Sequence, residues 1–218
     1  MIITIDGPSG AGKGTISQLL AERIGAELLD SGALYRLVAL VSLRRGIAVS
    51  DIAELTAQAR KLDVQFLAGG QGVQVLLEGQ DVSRAIREEQ VGMQASQVAA
   101  IAQVREALLQ RQRDFAMAKN LVADGRDMGT TVFPDADYKF FLTASAEARA
   151  GRRYQQLLGR GESVDMDALI RDIRDRDERD QSRSSSPLRP ANDAILVDST
   201  DMGIDQVLQF VLDRLDID

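Results

Sequence analysis

The chain has 218 residues, a formal net charge of −7, 44% apolar and 27% charged residues, and neither cysteine nor histidine. Its length fits one domain with an insertion, and its apolar fraction is sufficient for a folded core. The acidic balance argues against a nucleic-acid partner, and the two missing residue types exclude disulfides, thiol and imidazole catalysis, and metal sites built from cysteine or histidine.

The N-terminal residues 1–6 lack the basic and long apolar segments of a signal peptide, and no apolar run in the sequence approaches membrane-spanning length. We therefore expect a cytoplasmic protein without a membrane partner.

Strand and helix patterns alternate along the chain. Apolar runs predict core strands at 2–5, 27–29, 121–123, 138–142 and 194–197. Helical spacing and composition favour helices at about 14–24, 33–45, 51–62, 84–118, 145–158, 165–181 and 204–215. This alternation predicts an α/β fold of three layers, in which a parallel sheet of about five strands carries helices on both faces.

Short strand-like pieces interrupt this pattern between residues 63 and 83. They are Val64–Phe66, Val73–Leu77 and Asp81–Val82, and glycines at 69, 70 and 79 separate them. This texture predicts a small antiparallel meander, inserted between helical regions and outside the main sheet.

The segment after the first strand fits the phosphate-binding pattern G-x-x-x-x-G-K. Its glycines let successive backbone N–H groups curl around a phosphate, and its lysine would bridge the β- and γ-phosphates of ATP. The strict motif has Ser or Thr directly after the lysine. Here Gly14 precedes Thr15, so we expect Thr15 to contact the α-phosphate rather than to ligate Mg²⁺ directly. The predicted ATP-binding residues are Gly7, Pro8, Ser9, Gly10, Ala11, Gly12, Lys13, Gly14 and Thr15.

A phosphate loop alone does not separate kinases from regulatory nucleotide-binding proteins. A GTPase switch should carry D-x-x-G and N-K-x-D, but no aspartate here has glycine three residues later, and Asn-Lys does not occur. A kinase is therefore favoured. A P-loop ATPase that acts as a binding or regulatory module is the alternative from a different class.

Five motifs resemble the bacterial cytidylate kinases, in order and over nearly the whole chain. They are Gly7–Thr15, Asp30–Arg36, Ser96–Ala99, Asp124–Asp127 and Arg171–Asp180. The meander is similar to the inserted β-element of that family. The resemblance implies a P-loop kinase fold and transfer of the γ-phosphoryl group of ATP, with Mg²⁺, onto CMP or dCMP. UMP and AMP are alternative acceptors. We expect a monomer whose partners are these nucleotides.

The resemblance also assigns residues to the transferred and accepting phosphates. Arg36, Arg126 and Arg183 would hold the phosphate of CMP, since guanidinium groups suit phosphate oxygens. The expected catalytic residues are Lys13, Arg126, Arg153 and Arg183. No general base is needed, because the acceptor is already an ionised phosphate oxygen.

The cytosine base and the ribose receive their own residues by the same resemblance. A carboxylate suits the amino group of cytosine and an arginine suits its acceptor atoms, which assigns Asp127 and Arg105 to the base. Ser96 assists them and Ser31 lies nearby. Tyr35, Arg176 and Asp180 would hold the ribose.

Several of these assignments have purely structural alternatives. Arg105 alone would suit a solvated helix face, and Asp127 alone would suit a helix cap. Within Arg171–Asp180, acidic and basic residues at i,i+4 spacing would stabilise an exposed helix without any function. Arg176, Asp180 and Arg183 share one helix face, which favours function for those three. The structural role is favoured for Arg174 and Arg179.

A lid is expected after the fourth core strand, where three arginines occur. Arg153 is the expected phosphate clamp, and Arg149 and Arg152 are weaker candidates for it. The chain would then comprise a core (about 1–34, 84–148 and 184–218), an acceptor-binding region (about 35–83) and a lid with arginine-rich helices (about 149–183).

Ser96 and Arg105 are nine residues apart, which conflicts with a single straight helix. At about 100° per residue, nine steps place the two side chains on opposite faces. We therefore predict a helix break between Ser96 and Val104, although no Pro or Gly marks it.

Overall fold

The computed structural model describes residues 1–69, 72–117, 120–159, 161, 163 and 165–216. The chain divides into two compact units, the first formed by Met1–Asp30 with Gln112–Asp218 and the second by Ser31–Arg111. In chain order the elements are β1 (Ile2–Asp6), α1 (Lys13–Ile24), β2 (Glu27–Asp30), α2 (Ser31–Arg45), α3 (Ile52–Arg60), β3 (Val64–Gly69), β4 (Gly72–Leu77), β5 (Gln80–Asp81), α4 (Glu89–Val98), α5 (Ala102–Asp114), β6 (Leu121–Gly125), β7 (Tyr138–Thr143), α6 (Ala146–Leu158), α7 (Met166–Ser182), β8 (Ile195–Asp198) and α8 (Ile204–Leu212).

The first unit is built on a five-stranded parallel sheet with the order β2-β6-β1-β7-β8. Helices cover both of its faces, so the predicted three-layer α/β fold is confirmed. The central strands are apolar and buried, as expected for a sheet covered on both sides. Ile3, Ile5, Val122 and Phe140 pack with Ile16 and Leu20 of α1 in the core of this unit.

The register of β1 and β6 places two loops side by side. Ile5 pairs with Asp124 and Asp6 pairs with Gly125, so both strands end at the same edge of the sheet. The residues after β1 form the phosphate loop, and those after β6 begin with Arg126. Ligands of open α/β sheets bind at this carboxyl edge.

The second unit contains α2, α3, α4, most of α5 and a three-stranded antiparallel sheet with the order β3-β4-β5. This sheet confirms the predicted meander. The predicted helix break is also confirmed, because α4 ends at Val98 and α5 begins at Ala102. Between them, the N–H groups of Ala100 and Ile101 donate to Gln97 and Val98, 3.1 Å away in each case. These tighter i→i−3 bonds turn the chain without Gly or Pro.

The helices α6 and α7 pack together through Ala150, Leu157 and Leu169. Residues 160, 162 and 164 of the predicted lid lie outside the described residues. The division into core, acceptor-binding region and lid stays a prediction. No helix in the described part of the chain is long and apolar enough to cross a membrane.

A steric constraint at Gly7 yields a first prediction. Its φ is +149°, and a β-carbon there would lie 1.9 Å from the Leu142 carbonyl oxygen of β7. Gly25, with φ +64° at the end of α1, has open space around it. We expect Gly7→Ala to lower the free energy of unfolding by about 2–5 kcal/mol, and Gly25→Ala by about 1–2 kcal/mol, since only the first adds a clash to backbone strain.

Urea unfolding of both variants measures this difference. Equal losses would show that Gly7 is required only for its backbone conformation.

Candidate active site

The phosphate loop runs from the end of β1 into α1. Gly12 precedes the helix in a left-handed conformation with φ +96°, and no side chain caps the first turn of α1. No acidic residue lies in that turn either, and Gly14 and Thr15 are exposed. The N-terminal amides of α1 therefore form a position suited to an anion, and no acidic side chain in that turn would repel it.

Lys13 lies buried behind this loop. Its Nζ donates to the Pro8 carbonyl oxygen at 3.0 Å and lies 3.9 Å from Oδ1 of Asp124. Burial lowers the pKa of Lys13, and the carboxylate of Asp124 opposes that shift. The lysine is thus held at the base of the loop by the loop itself and by one carboxylate from β6.

Two buried carboxylates beside the loop were missed by the sequence analysis. Asp6 accepts hydrogen bonds from the N–H groups of Met128 and Gly129, both at 2.8 Å. Burial raises the pKa of Asp6 to about 7, even though these two bonds favour the ionised form. Burial likewise raises the pKa of Asp124 to about 7, against the charge of Lys13. Asp124 belongs to one of the five motifs but received no role there, and no local signal marks Asp6. The surroundings of both residues depend on neighbours that are distant in sequence.

Arg126, Arg176, Asp180 and Arg183 come together in the first unit. The Nε of Arg126 donates to Asp180, and Nη1 of Arg183 lies 3.8 Å from the same carboxylate. Burial would raise the pKa of Asp180, but the charges of Arg126, Arg183 and Arg176 together hold it below its usual value. The charges of Arg126 and Arg176 also act on Lys13. Thus the P-loop lysine and these arginines share one electrostatic environment.

The other charged residues of α7 between Arg171 and Arg179 lie mostly on the surface. Arg171, Asp172 and Asp175 are exposed. Arg174 pairs with Glu147 of α6 at 2.5 Å on the surface, and Arg179 donates to the Asp175 carbonyl oxygen. These contacts fit the structural role favoured for Arg174 and Arg179.

The three arginines of the predicted lid all lie on α6 but differ in their contacts. Arg149 is 4% exposed and bonds to Ser9, Ala144 and Asp177. Arg152 bonds to Ala11 and Ser199. Nη1 of Arg153 lies 3.5 Å from Oε1 of Gln156 on the same helix.

Asp127 follows Arg126 directly and is 2% exposed. It stands at the start of a single π-helical turn, Met128–Val132, but its side chain makes no capping hydrogen bond there. The helix-cap alternative is therefore wrong for this residue.

The remaining acceptor candidates lie in the second unit. Arg105 is 7% exposed, its guanidinium lies 5.3 Å from the centroid of the Tyr35 ring, and Nη1 donates to Ala99 at 3.2 Å. The solvated-face alternative is therefore wrong for Arg105. Ser31 and Ser96 are buried, and Oγ of Ser96 has no hydrogen-bond partner among the described residues. Arg36 donates to the Ile86 carbonyl oxygen at 2.7 Å and packs against Gly92 of α4.

A phosphate loop with a buried lysine, at the carboxyl edge of a parallel sheet and beside several arginines, is typical of P-loop kinases. The family model for cytidylate kinase matches residues 3–216. A cytidylate kinase of Aeromonas hydrophila is 57% identical over 211 residues, which cover 97% of this chain and 92% of that protein. One of Vibrio cholerae is 54% identical over 215 residues, covering 99% and 96%. The chain belongs to the cytidylate kinase family.

Among solved structures, a shikimate kinase of Bacteroides thetaiotaomicron is similar over 100% of this chain and 99% of its own, with 14% identity and a TM-score of 0.48. This likeness is too distant to bear on the substrate.

The raised pKa of Asp124 yields a second prediction. Because its folded pKa of about 7 exceeds the ordinary carboxyl value, the folded state binds more protons than the unfolded state between about pH 4 and pH 7. The contribution of Asp124 to the free energy of unfolding therefore falls as pH rises through this window. Asp124→Asn removes that ionisation, so the melting temperature of the variant minus that of the wild type should increase from pH 5 to pH 8.

Calorimetry at one-unit pH steps measures this trend. A loss of stability that is the same at every pH, caused by leaving Lys13 without its carboxylate, would not change the trend. A difference that stays constant across the pH range would show that Asp124 is not buried in its protonated form near neutrality.

Proposed function

We propose that this chain transfers the γ-phosphoryl group of ATP to CMP or dCMP, giving ADP and CDP or dCDP. The observation that carries the proposal is the shared environment of Lys13, Arg126 and Arg176 beside a phosphate loop, in a member of the cytidylate kinase family. Phosphoryl transfer depends mainly on positioning and on neutralising developing charge, which these groups supply. A cytoplasmic location and a monomeric state stay predictions.

On the donor side, the amides of Gly7–Thr15 surround the phosphates of ATP. Lys13 neutralises charge on the β- and γ-phosphates, and Arg153 closes on the transferring group. Water must be excluded when the lid closes, because water would otherwise accept the phosphoryl group.

On the acceptor side, arginines hold the phosphate that attacks. Asp180 binds Nε of Arg126 and thereby orients its guanidinium. Within the described residues, the two terminal nitrogens of Arg126 have no hydrogen-bond partner, so they remain available for an anion. Arg183 and Arg36 complete the phosphate set, and Tyr35, Arg176 and Asp180 hold the ribose.

The two residues proposed to bind the cytosine base, Asp127 and Arg105, are both buried, so water would compete little with the base for their hydrogen bonds. Asp127 accepts from the amino group of cytosine, and Arg105 donates to its acceptor atoms. Ser96, with a buried hydroxyl that has no partner among the described residues, and Ser31 add hydrogen bonds to the base. A buried polar atom without a partner is costly, and a ligand would remove that cost.

The residues present fit Mg²⁺ as an ion that arrives with ATP. The described residues contain no group of three His, Cys, Asp or Glu side chains that would hold a metal. Mg²⁺ usually takes several waters and substrate phosphates rather than an all-protein cage. The exposed hydroxyl of Thr15 would hold it through water. When bound, the ion neutralises charge on the phosphates.

An acceptor panel tests the proposed function. Wild-type protein with ATP and Mg²⁺ should release ADP with CMP and dCMP, and far less with UMP, AMP or no acceptor. Lys13→Ala should lower turnover by about 10²-fold or more, since oriented charge at the phosphoryl group is lost. Its melting temperature is measured to show that the variant is folded, because the change leaves Asp124 without its lysine partner. The exposed Lys61→Ala serves as the matched control. ADP release that is independent of any nucleotide acceptor would instead indicate the alternative P-loop ATPase.

Base choice yields a further prediction through Asp127. Uracil presents an acceptor where cytosine presents an amino donor, so a buried carboxylate would face it without a hydrogen bond. Such a mismatch costs about 1–3 kcal/mol, or roughly 10-fold to 100-fold in kcat/KM. Asp127→Asn supplies an amide that can donate to uracil. It should lower kcat/KM for CMP and narrow the CMP/UMP ratio by about 10-fold, with the ATP constant nearly unchanged.

Steady-state kinetics with CMP, dCMP and UMP measure this ratio, and the exposed Asp135→Asn is the control for the same charge change. If the ratio in Asp127→Asn equals that of the wild type, Asp127 does not read the base.

A further inference from the structure

Two arginines of α6 hold carbonyl oxygens of the phosphate loop. Nη1 of Arg149 donates to the Ser9 oxygen at 3.0 Å, and Nη1 of Arg152 donates to the Ala11 oxygen at 3.3 Å. The two arginines are three residues apart, so they share one side of the helix. The two carbonyl groups that they bind belong to Ser9 and Ala11, which are separated by Gly10.

Every nitrogen of Arg149 already donates within the protein, and four of its five N–H groups are used. Its Nε donates to the Ala144 oxygen at 2.9 Å, and its two terminal nitrogens donate to the two carboxylate oxygens of Asp177 at 3.0 and 2.5 Å. The side chain is also closely packed, because a β-carbon on Gly10 would lie 3.2 Å from its Cβ. A phosphate could bind this guanidinium through two hydrogen bonds only by displacing one of these partners.

Arg152 and Ser199 fix the Ala11 carbonyl from two directions. Nη1 of Arg152 donates to Oγ of Ser199 at 3.2 Å, and Nη2 donates to the Ser199 carbonyl oxygen at 2.5 Å. Oγ of Ser199 lies 3.3 Å from the Ala11 oxygen and 3.0 Å from the Thr143 oxygen. The end of β7, the residue after β8 and the middle of α6 thus meet at one carbonyl oxygen of the phosphate loop.

The orientation of these carbonyls determines where the loop amides point. In a trans peptide, the C=O of one residue and the N–H of the next point in opposite directions. Holding the oxygens of Ser9 and Ala11 toward α6 therefore directs the N–H groups of Gly10 and Gly12 away from it. An anion site of this kind binds best when its amides are oriented before the ligand arrives.

We infer that Arg149 and Arg152 are positioning residues, which keep the amides of the phosphate loop oriented for ATP, and are not phosphate clamps. Asp177 acts with them, because its carboxylate fixes the guanidinium of Arg149. This inference departs from the expectation that these two arginines are weaker candidates for the phosphate clamp. The inference rests on the proposed use of the loop for ATP.

Asp177→Asn separates the two roles, because they predict opposite signs. If Arg149 clamps phosphate, removing its carboxylate partner frees the guanidinium and removes negative charge near ATP, so ATP binds equally well or more tightly. If Arg149 positions the loop, loss of the charge-assisted pair weakens ATP binding by about 10-fold. We expect the ATP KM to rise by that factor, with kcat and the CMP KM changing less than about 3-fold.

The exposed Asp172→Asn, with the same charge change on the same helix, is the matched control and should leave the ATP KM unchanged. Calorimetric binding of a non-hydrolysable ATP analogue repeats the comparison without an acceptor. If the wild type binds the analogue but does not phosphorylate CMP, the proposed function fails, and the binding measurement still decides the inference. Melting temperatures show whether the variants are folded.

Should Asp177→Asn not fold, Asp177→Glu replaces it, because a longer side chain keeps the charge but displaces the carboxylate. It too should weaken analogue binding relative to the wild type. Unchanged or tighter binding in the folded Asp177 variant would overturn the inference and return Arg149 to the clamp.

Discussion

The parallel pairing of β1 with β6 is the constraint on which the rest of the first unit depends. Because Asp6 lies opposite Gly125 in that register, the phosphate loop and the residues from Arg126 onward leave the sheet at the same edge. Asp6 then fixes the second segment directly, since its carboxylate accepts from the N–H groups of Met128 and Gly129. The phosphate loop and the segment that begins at Arg126 are thus held together by the β1–β6 pairing and by the side chain of Asp6. A one-residue slip of this register would separate them and turn every side chain of the strand to the other face.

The same edge concentrates charges that would be unstable alone. Lys13 is accompanied by Asp124, and Arg126 and Arg183 by Asp180. Buried charges need such partners, since removing one member leaves an uncompensated charge at several kcal/mol. The carboxylates of Asp124 and Asp180 therefore offset the charge of these cations inside the protein. The raised pKa values of Asp6 and Asp124 show that burial at this edge disfavours an ionised carboxylate.

Local patterns predicted local structure well. The phosphate loop was predicted from the spacing of three glycines before a lysine within seven consecutive residues. The break after Val98 was predicted from helix geometry applied to Ser96 and Arg105. The partners of buried charges could not be predicted in this way. Arg149 and Asp177 are 28 residues apart and Arg126 and Asp180 are 54 apart, so their pairing depends on how α6, α7 and β6 pack. For the same reason, the sequence analysis grouped Arg149 with Arg153, because only tertiary contacts show that Arg149 bonds to the phosphate loop.

The two halves of helix α7 are held by different kinds of contact, apolar packing in one and ion pairs in the other. Near its N-terminus, Leu169, Ile170 and Ile173 pack with α6 through apolar contacts. Near its C-terminus, Asp177 and Asp180 pair with Arg149 and Arg126 instead. Apolar contacts are indifferent to an arriving anion, whereas an ion pair competes with it for the same cation. The two pairs differ in this respect, because Asp177 occupies both terminal nitrogens of Arg149 while Asp180 binds Nε of Arg126. A phosphate can therefore approach Arg126 without displacing its partner, and Arg149 stays with the loop that it supports.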